Sequence, residues 1–146
     1  VRITNTVAPE SNLAWSPDGK KLAYLSEPDG AYEIYQYDFP TETEQQLTRG
    51  TNEDIAPSFS PDGKTLAFVR NARAIFTYNL ETKVEKELCK TYTDTAPLGG
   101  ESFKWSPDGK WIAFLTASPL TRSYTNVSVV PASGGEAARR IRMPDR

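Results

Sequence analysis

The stretch Trp15-Ser16-Pro17-Asp18-Gly19-Lys20 leads into Leu22-Ala23-Tyr24, and the whole pattern occurs three times. It returns as Phe59-Ser60-Pro61-Asp62-Gly63-Lys64 with Leu66-Ala67-Phe68. It returns again as Trp105-Ser106-Pro107-Asp108-Gly109-Lys110 with Ile112-Ala113-Phe114. Ser16 and Ser60 are 44 residues apart, and Ser60 and Ser106 are 46 apart. A second landmark keeps the rhythm: Arg2-Ile3-Thr4 precedes the first copy as Gln46-Leu47-Thr48 precedes the second. Self-similarity at a fixed period marks a repeat architecture, in which each unit is one supersecondary motif.

Ser-Pro-Asp-Gly-Lys has the chemistry of a tight hairpin turn. Proline presets φ, the aspartate bonds the backbone two residues on, and glycine takes the positive φ that closes the hairpin. Outward from this turn, each repeat reads as four short strands. The first ends at Trp15, Phe59 or Trp105. The second runs through 22–25, 66–69 or 111–115, and the third through 33–37, 74–79 or 126–130. The fourth ends near Leu47, Leu88 or Ile141, after turns such as Glu81-Thr82-Lys83 and Ser133-Gly134-Gly135. Four strands in about 40–50 residues is the blade of a β-propeller. The expected fold is all-β: three four-stranded antiparallel blades plus a leading strand. The blades are expected at about 11–48, 54–89 and 101–142, with 1–4 as the outer strand of a preceding blade. Ala23, Ala67 and Ala113 sit mid-strand, where a small side chain lets adjacent blades approach.

Composition narrows the function. With 38% apolar and 25% charged residues and a mean hydropathy of −0.56, the chain has globular make-up. Its apolar runs reach only about five residues, far short of the ~20 that a membrane helix needs. A net charge of −2 argues against a nucleic-acid partner. One cysteine, Cys89, excludes an intramolecular disulfide framework. The chain has no histidine, which excludes an in-chain Ser-His-Asp triad, a Cys-His pair and the common histidine zinc sites. Val1 in place of an initiator methionine leads us to expect a processed or excised segment.

The Trp-Ser-Pro-Asp-Gly-Lys motif, followed by an apolar-Ala-aromatic strand, resembles the Pro-Asp repeat of TolB-like propellers. This WD40-like repeat also resembles those in the propeller domains of tricorn-type and prolyl-oligopeptidase-type peptidases. The resemblance covers nearly the whole chain, with Phe59 for Trp in the second copy. It implies a non-catalytic scaffold that binds protein or peptide, in a periplasmic or otherwise extracytoplasmic site; no cofactor is expected, since the sequence has no phosphate loop, paired cysteines or dinucleotide fingerprint. The alternative is an accessory propeller that gates substrate access to a catalytic domain of a larger serine peptidase. Three blades do not close a ring of the usual four to eight. The expected complement is therefore a homodimer forming six blades, or further blades of a longer parent chain.

Asp18, Asp62 and Asp108 read as turn residues and not as metal ligands. The loops between second and third strands vary most between copies, and variation on one rim of a regular scaffold marks a binding edge. That rim carries Glu10, Asp29, Glu53, Asp54 and Glu101, which suit a cation or a basic peptide group. It also carries Arg73 and Arg122, which suit a carboxylate. Trp15, Trp105 and Trp111 follow strand periodicity and read as packing. Cys89 reads as a packed residue, because no histidine can activate it. The near-elbow Gly100-Glu101-Ser102-Phe103-Lys104 lacks its final glycine. Asn126-Val127-Ser128 matches a glycosylation acceptor but falls in a strand. Arg139, Arg140, Arg142 and Arg146 read as the end of an outer strand.

Overall fold

The structure is a computed structural model that describes residues 2–4, 7–90, 103–117, 124–135 and 139–141. Twelve strands form three antiparallel sheets. Blade 1 holds β1 (Glu10–Trp15), β2 (Lys21–Ser26), β3 (Glu33–Asp38) and β4 (Thr43–Gln46). Blade 2 holds β5 (Asp54–Phe59), β6 (Thr65–Arg70), β7 (Ala74–Asn79) and β8 (Glu85–Lys90). Blade 3 holds β9 (Phe103–Trp105), β10 (Trp111–Ala117), β11 (Tyr124–Pro131) and β12 (Arg139–Ile141). Each sheet keeps sequence order, as successive hairpins dictate. Ile3 and Thr4, expected as an outer strand, belong to none of the three sheets. Among the described residues, no helix is long and apolar enough to cross a membrane.

The three turns repeat atom for atom. Gly19, Gly63 and Gly109 have φ of 68°, 72° and 70°. In blade 1 the Asp18 carboxylate accepts from Ser16 Oγ at 2.6 Å and from the Lys20 amide at 3.0 Å. Ser16 Oγ in turn accepts from the Lys21 amide at 2.9 Å. Asp62 with Ser60 and Asp108 with Ser106 reproduce this network. The serine is thus the relay between aspartate and strand, a role the turn-residue reading did not assign to it. A Cβ on Gly63 would lie 3.6 Å from Pro17 Cδ, an ordinary contact, so space does not require glycine there. The positive φ does. Gly63→Val is expected to cost about 1 kcal/mol or more through backbone strain. Equal or greater stability in denaturant melts would refute the turn geometry.

The serine hydroxyl first, and then the lysine amide, hold Asp18, Asp62 and Asp108 below the ordinary carboxylate range. Their stabilisation is therefore complete above that range and is lost as pH falls through it toward the lowered folded values. Acid titration of the wild type should show this loss below about pH 4. Asp62→Ala should flatten the acid limb of the denaturation midpoint. An unchanged limb would remove Asp62 from the account.

Side-chain alternation gives every blade two faces. The leading face of blade 2 presents Phe59, Leu66, Phe68 and Tyr78 to Ala23, Leu25, Ile34 and Leu47 of blade 1. The trailing face of blade 2 presents Ala67, Val69, Ile75 and Leu88 to Phe103, Ile112, Phe114 and Val130 of blade 3. Thus each junction sets an alanine-centred aliphatic face against a larger aromatic or branched one. Trp105 Nε1 donates to the Ser58 carbonyl at 3.2 Å and ties blade 3 to blade 2. Blades 1 and 2 share a bulge at equivalent places, with Asn12 and Ala56 at φ 52° and 56°.

On the end blades Trp111 is 40% exposed, whereas Leu22, Tyr24 and Phe114 are buried. Phe114 faces blade 2. Tyr24 stacks on Tyr35 with ring centroids 6.0 Å apart, and its hydroxyl donates to Glu44. Burial first, and then that carboxylate, raise the Tyr24 phenol above its ordinary range. Leu22 lies between Trp15 and Tyr37 in register. Blade 1 therefore covers much of its own leading face.

Candidate interaction rim

Antiparallel hairpins bring the start of β1, the β2–β3 loop, the start of β5 and the β6–β7 loop to one rim. Glu10 opens β1, Asp29 lies in the β2–β3 loop, Glu53 precedes β5 and Arg73 ends the β6–β7 loop; all four are exposed. Thr4 Oγ1 donates to Glu10 at 2.6 Å. Glu53 and Arg73 are brought to the same hairpin end by Asn71. The Asn71 amide donates to the Glu53 carbonyl at 2.7 Å, and its side-chain oxygen accepts from the Glu53 amide at 3.0 Å. Asn71 Nδ2 donates to Asn52 at 2.9 Å. Asn71 and Ala72 both have positive φ (52° and 55°), and the Arg73 amide donates to the Arg70 carbonyl at 3.0 Å. That is the primed turn whose twist matches a two-stranded ribbon. Glu101 and Arg122 lie outside the described residues.

Asp54 has a different place from its neighbours. It is 2% exposed, and Arg70 grips it with both arms: Nε to Oδ1 at 2.7 Å and Nη2 to Oδ2 at 2.8 Å. Arg70 also donates to Glu85 at 2.8 and 3.1 Å. Its guanidinium sits over Phe76 at 4.4 Å and Phe68 at 5.3 Å. The Asp54 bonds first, and then those to Glu85, raise the arginine further above its ordinary range. Asp54 is therefore a fixed strut beneath the rim, and its carboxylate is already engaged. Arg70, which is not among the residues singled out from the sequence, is the organising residue.

Among the described residues, no group of three Asp, Glu or Cys gathers as metal ligands. Cys89 lies in β8 opposite Ile75, and burial pushes its thiol up to about 11. The rim thus presents Glu53 and Arg73, two exposed charges of opposite sign, on one stiffened hairpin.

The family model described as the TolB beta propeller domain matches residues 1–142. The chain belongs to this family. The Tol-Pal system protein TolB of Francisella tularensis subsp. mediasiatica is 31% identical over 93 residues, which are 60% of this chain and 21% of that relative. A solved oligogalacturonate lyase in complex with manganese superposes with a TM-score of 0.74 at 22% identity. That match covers 95% of this chain and 42% of the lyase chain. The Pyrococcus horikoshii acylaminoacyl peptidase superposes with a TM-score of 0.67 at 18% identity, covering 94% of this chain and 25% of the peptidase. At these identities the two structures speak for the fold alone. The chain spans about a third or less of the curated relatives it matches.

Proposed function

We propose that this TolB-family propeller segment is a non-catalytic scaffold whose β2–β3 and β6–β7 rim binds a protein or peptide. The observation that carries this reading is the Glu53–Arg73 hairpin. Two exposed opposite charges are held on backbone that Asn71 and a primed turn make stiff. Stiff presentation lowers the ordering cost of recognition. Glu10 and Asp29 extend the surface along the rim. The absence of histidine from the chain supports binding over acid–base chemistry. The family supports a periplasmic or otherwise extracytoplasmic setting.

Chemical cross-linking of the wild-type chain in extract should map contacts to these loops. Changing Glu53 and Arg73 together to Ala is expected to weaken the captured partner at least tenfold. Stability should stay within about 0.5 kcal/mol of the wild type, as for other surface positions. Unchanged affinity would reject the site, and loss of folding would assign the pair a structural role.

The second reading is the accessory propeller of a peptidase, which 43% identity over 68 residues to the Dipeptidyl-peptidase 5 of Porphyromonas endodontalis supports. A hydrolase domain in the same reading frame would select it. In either case the purified chain alone should show no peptide hydrolysis.

A further inference from the structure

We draw no further inference here: the strongest candidate, the pair of exposed apolar end faces formed by Trp111, Leu115 and Val127 on blade 3 and by Trp15 on blade 1, carries none, because nothing in the structure shows what covers them.

Discussion

Arg70→Ala will destabilise the chain by about 3–5 kcal/mol, the usual cost of removing one partner of a buried ion pair. The reason is the carboxylate left behind. Asp54 is 2% exposed, and both its oxygens are bonded to Arg70. Without the guanidinium a buried carboxylate is left with both of those bonds lost. The same change empties the space over Phe68 and Phe76. A domain of this kind is stable by only about 5–15 kcal/mol, so the loss should be plain in urea melts. The control is the double replacement Asp54→Leu with Arg70→Met. It should be markedly more stable than Arg70→Ala, since two apolar groups leave no orphaned charge. A single variant within 1 kcal/mol of the wild type would show that the pair carries little. Additive effects of Asp54→Leu and Arg70→Met singly would deny the coupling.

Phe68→Ala is the second large effect, at about 3–5 kcal/mol. Phe68 is fully buried between blade 1 and the ring of Phe76, whose centroid is 5.9 Å away. Its removal loses transfer free energy and leaves a cavity that a sheet face cannot collapse to fill. Val84→Ala, at a side chain 58% exposed, should change stability by no more than about 0.5 kcal/mol. Equal effects at the two positions would mean that the blade 1–blade 2 junction is loosely packed.

The three hairpins were legible because their chemistry is local. Gly63 and Asp62 act within four residues of Ser60, and a motif repeated three times announces itself. Phe59, Leu66 and Ala67 were legible as packing for the same reason, since alternation along a strand sets faces without further information. Asp54 was not. Its identity as a rim acid or a buried strut depends on Arg70, sixteen residues away and across a strand pair. The bulge at Ala56 was also hidden, because alanine at φ 56° goes against its own local preference and is imposed by the sheet. On the rim, Glu53 and Arg73 were visible as charged loop residues. Asn71, which fixes their backbone, carries no signal beyond a residue type tolerant of positive φ.

Cys89 has a practical consequence. Its thiol, pushed up to about 11 by burial, carries far less thiolate at neutral pH than an exposed cysteine. A cysteine introduced at Arg73 would sit exposed on the rim. Maleimide fluorophores or spin labels can then be placed there selectively, with the native thiol left in its strand.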